Sequence, residues 1–137
     1  MPDLIVTKSD RLPLLTEQDI VLARQAVRKL TQELTFSLVD QTKMVTAASE
    51  LARNALVHGG GGELVYELIL DGVKKGLRLT FTDNGPGIAN IELAMMDGWT
   101  SGSGLGMGLS GAKRLVNQLD IETQVGVGTR VTITRWK

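Results

Sequence analysis

The sequence predicts an α+β fold, a two-layer α/β sandwich whose mostly antiparallel, mixed sheet carries its helices on one face. Three observations predict it. Two amphipathic helical patterns, about 17–35 and 37–58, follow one another with no strand between them. The strand patterns after them come in pairs joined by short glycine-bearing turns, at Asp71-Gly72 through Gly76 and at Gly126-Val127-Gly128. Strands joined by hairpins pair antiparallel, and a sheet with one apolar face must be covered by helices.

The elements follow in order. Residues 3–8 read as a short first strand. Thr16 with Asp19 resembles a capping box, and behind it Ile20, Ala23, Val27, Leu30 and Leu34 fall at helical spacing. The other side of that helix carries Arg24, Arg28, Lys29 and Glu33, a solvated face. Ser37 with Asp40 offers a second cap. The helix it starts has the apolar stripe Met44, Ala48, Leu51 and Ala55, and must stop at Gly59-Gly60-Gly61-Gly62. Residues 63–71 read as a strand. Residues 77–83 read as another, because Leu77, Leu79 and Phe81 alternate with Arg78, Thr80 and Thr82. Residues 89–101 read as a loop with one helical turn near 91–96. A helix at about 106–118 and strands at 119–125 and 129–136 complete the order β-α-α-β-β-α-β-β. No repeat or internal boundary interrupts it, so residues 1–137 read as one domain.

Composition narrows the function. Fifteen basic and fifteen acidic residues cancel, which argues against nucleic acid or an anionic membrane as the main partner. The absence of cysteine excludes a disulfide framework and a thiolate metal site. His58 is the only histidine and by itself builds no zinc site; its place is near the C-terminal dipole of its helix. The start Met1-Pro2-Asp3-Leu4 lacks a signal-type core. The expected location is the cytoplasm.

Chemistry concentrates at Asp83-Asn84-Gly85-Pro86-Gly87-Ile88. Asp83 ends a strand, and Gly85 and Gly87 let the backbone turn sharply and come close to a flat ligand. A carboxylate held there can accept a hydrogen bond from an exocyclic amine such as that of adenine. A second cluster, Gly102-Ser103-Gly104-Leu105-Gly106-Met107-Gly108-Leu109, opens a helical pattern, and a helix N-terminus is an anion site. Glycines that merely turn a loop into a helix are the plainer account. Five glycines within residues 102–111 exceed what a cap needs, which favours phosphate contact. Gly106-x-Gly108-x-x-Gly111 matches a dinucleotide fingerprint but follows no clear strand. As a P-loop it fails, with Lys113 one place late and no Ser or Thr after it. Glu50 and Asn54 lie four apart, about 40° from each other around one helix, bordering its apolar stripe.

The joint order Glu50-x3-Asn54, Asp83-x-Gly85-x-Gly87, Gly102–Gly108 and Gly126-x-Gly128-Thr129 resembles the GHKL ATPase superfamily, which includes DNA gyrase B, Hsp90, MutL and sensor histidine kinases. The resemblance implies the Bergerat ATP-binding fold, with ATP and Mg²⁺ as cofactors. It implies that Asn54 coordinates Mg²⁺ and that Glu50 is the general base. It implies that Asp83 binds the adenine amino group, helped through water by Thr129. Gly85, Gly87 and Ile88 would line the base pocket. Gly102, Gly104, Leu105, Gly106, Met107, Gly108 and Leu109 would meet the phosphates beneath a mobile lid at about 89–105.

Within that superfamily the branch follows from what the chain contains. A sensor histidine kinase needs a phosphoacceptor histidine on a separate helical region, and His58 lies inside the Glu50/Asn54 segment. Gyrase, Hsp90 and MutL types need further domains. A stand-alone domain, with Glu50-Leu51-Ala52-Arg53-Asn54-Ala55 and Asp97-Gly98-Trp99-Thr100, is similar to the small serine kinases of bacterial partner-switching systems, the stressosome switch kinases and anti-sigma-factor kinases. That resemblance implies phosphorylation of a serine on a STAS-domain scaffold or antagonist protein. Release from the scaffold would then let the kinase activate a PP2C-type phosphatase. Its alternative is an anti-sigma factor that binds a sigma factor and phosphorylates an anti-anti-sigma STAS protein. A third reading is a nucleotide-gated binding module without kinase activity.

Overall fold

The computed structural model describes residues 4–95 and 108–137. Among these the chain runs β1 (Leu4–Leu14), α1 (Glu17–Glu33), α2 (Leu38–Val57), β2 (Gly62–Asp71), β3 (Lys74–Asp83), α3 (Ile91–Ala94), α4 (Gly108–Arg114), β4 (Gln118–Gln124) and β5 (Gly128–Trp136). The strands form one sheet in the order β1-β2-β3-β5-β4, antiparallel at every pairing. The α+β sandwich expected from the sequence is the architecture observed, but the sheet among the described residues is antiparallel throughout and not mixed.

Local chemistry accounts for the helices. The Thr16 hydroxyl accepts from the Asp19 N–H at 3.1 Å, and the Asp19 carboxylate accepts from the Thr16 N–H at 3.1 Å, closing a reciprocal cap. Such a cap contributes roughly 1 kcal/mol. α1 ends where Thr35 turns to a φ of +57° and the Phe36 N–H reaches the Thr31 carbonyl. Ser37 then caps α2 by accepting from the Asp40 N–H. The stripes Ile20, Ala23, Val27, Leu30 and Met44, Ala48, Leu51, Ala55 are all buried, and they meet Leu64, Leu77, Leu79, Phe81, Val131 and Ile133 of the sheet in one core. The opposite sheet face is largely polar; on it Arg78 donates to Glu67 at 2.8 Å and Thr80 meets Thr132.

Three boundaries differ from the sequence expectation. β1 runs to Leu14 instead of residue 8, because the backbone of 9–14 pairs with β2 although its side chains show no alternation. β3 begins at Lys74, since Asp71 pairs directly with Lys74 around a two-residue turn whose Gly72 has a φ of +64°. α4 stops at Arg114 instead of 118. There the Leu115 N–H bonds back to Ala112, the Asn117 N–H joins the Thr134 carbonyl, and Arg135 Nη1 donates to the Leu115 carbonyl at 2.9 Å. The sheet captures the chain before the helical pattern is exhausted. No helix among the described residues is long and apolar enough to cross a membrane.

Candidate functional site: a cavity between α2 and the sheet

A cavity of about 400 Å³ opens between α2, the ends of β3 and β5, α3 and the start of α4. That is within the range of small-ligand sites, roughly 300–1,000 Å³. Leu51, Phe81, Ile88 and Val131 give it apolar walls, while Asn54, His58, Asp83, Asn90 and Thr129 supply polar groups. A flat, largely apolar ring with a few hydrogen-bonding positions fits such a lining.

The sheet register places two of these polar groups, Asp83 and Thr129, side by side. Asp83 on β3 is the cross-strand partner of Thr129 on β5, so both side chains leave the same face. Asp83 Oδ1 accepts the Gly85 N–H at 2.9 Å, which holds the carboxylate in one orientation. The two glycines after it have different tasks. Gly87 has a φ of +78°, the left-handed conformation expected of the turn. Gly85 instead permits a close approach: a Cβ there would stand 2.6 Å from the Cα of Gly59.

α2 supplies the facing side. Asn54 lines the cavity, and its carbonyl accepts the N–H groups of both His58 and Gly59 where the helix ends. Glu50 lies one turn earlier, outside the cavity lining. Its Oε2 is shut off from solvent and has no hydrogen-bond partner among the described residues. That oxygen can accept a hydrogen bond from a donor brought to it. Arg53 turns the other way and pairs with Glu17 of α1 at 3.5 Å. No group of three acidic, histidine or cysteine side chains suited to a metal occurs among the described residues. Asn54 and Glu50 are what α2 offers. A single amide oxygen suits Mg²⁺, which takes its other ligands from phosphates and water.

The structure therefore brings Asn54, Asp83, Gly87, Ile88, Gly108, Leu109 and Thr129 to one cavity, with Gly85 in the turn behind Asp83 and Glu50 one helical turn away. Gly102, Gly104, Leu105, Gly106 and Met107, and the part of the expected lid from 96 to 105, lie outside the described residues. The sequence reading missed three participants. The sequence marks His58 only as a helix-end residue, yet it lines the cavity. Gly59 is marked only as a helix stop, yet a Cβ on it would stand 2.3 Å from Asp83 Cγ. Thr123 is marked only as part of a strand, yet its Oγ1 accepts the Ile88 N–H at 2.9 Å and lies 2.9 Å from Thr129 Oγ1. The hairpin turn at Gly126-Val127-Gly128 brings Thr123 near Thr129, and the β4–β5 register that makes them direct partners is the signal for Thr123.

A cavity of this composition on an antiparallel sheet, with carboxylate, amide and glycine turn converging, is chemically suited to a nucleotide. Residues 39–137 match the family described as histidine kinase-, DNA gyrase B-, and HSP90-like ATPase, and the chain belongs to that family. It is 43% identical over 123 residues to the serine/threonine-protein kinase RsbT of Bacillus subtilis (strain 168), covering 90% of this chain and 92% of RsbT. It is 31% identical over 122 residues to the anti-sigma F factor of Clostridium kluyveri, covering 86% of each chain. The chain is thus an RsbT-like serine/threonine kinase with an ATP-binding domain. Two solved structures share the fold. One holds the RsbU and RsbW domains of a Mycobacterium tuberculosis protein (TM-score 0.66, 23% identity, 96% of this chain and 33% of that one). The other is the mycobacterial sensor histidine kinase MprB (TM-score 0.57, 19% identity, 94% and 97%).

Proposed function

We propose that this chain is a cytoplasmic, ATP-dependent kinase of a stressosome-type partner-switching system. It phosphorylates a serine of a STAS-domain scaffold protein and, once released, activates a PP2C-type phosphatase. The observation that carries the reading is the convergence of Asn54, Asp83 and Thr129 on one cavity, in a chain alike to RsbT over nearly its whole length.

In this reading Asp83 takes the amine of adenine and Thr129 assists, directly or through water. Ile88 and Gly87 cover the base. Gly108 and Leu109, with the glycines before them, meet the phosphates. Asn54 would hold Mg²⁺ through its amide oxygen, and the ion supplies charge neutralisation on the phosphates. The substrate hydroxyl oxygen forms a bond to the γ-phosphorus while the bond from that phosphorus to the β,γ-bridging oxygen breaks. ADP leaves, and the hydroxyl proton passes to Glu50, whose Oε2 has no other partner among the described residues.

The second reading, an anti-sigma factor that phosphorylates an anti-anti-sigma protein, is favoured by the 31% identity to anti-sigma F factor. One experiment tests both. The purified chain, with Mg-ATP and a STAS-domain protein, is followed on phosphate-affinity gels, and affinity capture with and without ATP identifies what it holds. Phosphotransfer with capture of a phosphatase supports the first reading; capture of a sigma factor supports the second. No transfer to any STAS protein overturns both in favour of a nucleotide-gated binding module.

A further inference from the structure

Four strands contribute one residue each to a single cross-strand row: Gly62 on β2, Asp83 on β3, Thr129 on β5 and Thr123 on β4. Asp83 and Thr129 line the cavity; Thr123 stands behind them, half-buried. Its Oγ1 makes three contacts: the Ile88 N–H at 2.9 Å, the Gly128 carbonyl oxygen at 3.2 Å and Thr129 Oγ1 at 2.9 Å. A hydroxyl has one proton and two lone pairs. The Ile88 N–H can only donate, and the Gly128 carbonyl can only accept. One arrangement satisfies all three contacts. In it Thr123 donates to Gly128, and Thr129 donates to Thr123. The Thr129 proton is thereby spent, and only its lone pairs remain for the cavity.

We propose that Thr123 is a positioning residue for base selection. It sets the direction of the Thr129 hydroxyl, so that Thr129 and the Asp83 carboxylate form an acceptor-only edge that takes a 6-aminopurine nucleotide and rejects a 6-oxopurine one. The proposal rests on the adenine reading of Asp83 given above. Asp83 Oδ1 accepts the Gly85 N–H, and the carboxylate keeps further lone pairs for the ligand. An N6 amine brings two protons to that edge, whereas a 6-oxo group brings lone pairs. Where one water stands between Thr129 and the base, it gives one proton to Thr129 and the other to N1. That position is a lone pair in adenine and an N–H in hypoxanthine, so the discrimination has the same sign. The same Thr123 oxygen ties the Ile88 end of the glycine turn to β4, coupling the pocket's roof to its hydrogen-bond polarity.

The test is calorimetric titration of the full chain with ATP and with inosine triphosphate, for the wild type, Thr123→Val, Thr123→Ala, Thr123→Ser and Asp83→Asn. Thr123→Val releases the Thr129 proton. It is expected to narrow the preference for ATP over inosine triphosphate by about tenfold. Thr123→Ala does the same if the valine variant does not fold. Thr123→Ser keeps the hydroxyl and is expected to restore the wild-type ratio. A purely structural role for Thr123 would weaken both nucleotides in parallel with the ratio unchanged, and that result overturns the proposal. Loss of ATP binding in Asp83→Asn alongside an unchanged ratio in Thr123→Val overturns the proposal alone. Full ATP affinity in Asp83→Asn, or equal wild-type affinity for the two nucleotides, overturns the adenine reading and the proposal with it.

Discussion

Gly59 and Asp83 are packed against each other so closely that a Cβ on Gly59 would stand 2.3 Å from the Asp83 Cγ. The chain just beyond the end of α2 and the residue that ends β3 therefore share one volume. The helix that carries Glu50 and Asn54 is placed against the carboxylate by the lack of a side chain at this point.

The first prediction follows from that contact. Gly59→Ala forces the Asp83 carboxylate or the end of α2 to move, a strain of roughly 1–3 kcal/mol. The expected outcome is a folded protein, by circular dichroism, whose ATP affinity is at least about tenfold weaker. Unchanged affinity would show that Asp83 does not need its present position to hold the base.

The second separates binding from transfer on one helix. Asn54 reaches the cavity and Glu50 does not. Asn54→Ala should lower Mg-ATP affinity and activity together. Glu50→Ala should leave ATP and partner binding intact and lower phosphotransfer by ~10²–10⁴-fold, the usual worth of a general base. Titration calorimetry and phosphate-affinity gels on the same preparations measure the two quantities. Full transfer by Glu50→Ala would refute its role as base.

The third concerns acid stability. Arg135 donates through Nη2 to Asp40 at the start of α2 and through Nη1 to the Leu115 carbonyl, joining α2, β5 and the end of α4. The hydrogen bond from Arg135 is the main cause holding the Asp40 carboxyl below its ordinary value; burial opposes it, and Ser37 and Lys43 add to it. Because the folded-state value is lowered, the pair's stabilisation is fully present above the unfolded carboxyl value of about 4. It is lost as pH falls through the folded value below that. Melting temperatures of wild type and Asp40→Asn should differ at neutral pH and converge below about pH 4. A difference that persists unchanged into strong acid would place the effect elsewhere.

Much of this was legible in the residues alone. The Thr16 and Ser37 caps, the two apolar stripes and the strand alternation of 77–83 are short-range patterns, and each reappears in the structure with the side chains that announced it. Asp83 and Gly87 carry a local mark of their own, a strand end and a glycine turn, whereas Asn54 and Thr129 stand out only through the joint order of motifs that the family resemblance supplies. The sequence marks too short a β1, because an edge strand held by backbone pairing leaves no alternation in residues 9–14. It marks too long an α4, because Arg135, some twenty residues further on, closes its end.

Chemistry that depends on one residue standing opposite another was decided only by the tertiary structure. Local periodicity and capping determined which segments are helices and strands, which faces are apolar and which turns carry the glycines. They are properties of neighbours three or four apart, so the sequence by itself contains them. The row Asp83–Thr129–Thr123 joins β3 to β5 across about forty-five residues of chain, a pairing no local pattern states, although Thr123 and Thr129 flank one hairpin turn. Nor does a local pattern state the fit of Gly59 beneath the Asp83 carboxylate. Strand register and helix placement come from burial of the whole core at once, and they alone decide which hydroxyl meets which carboxylate.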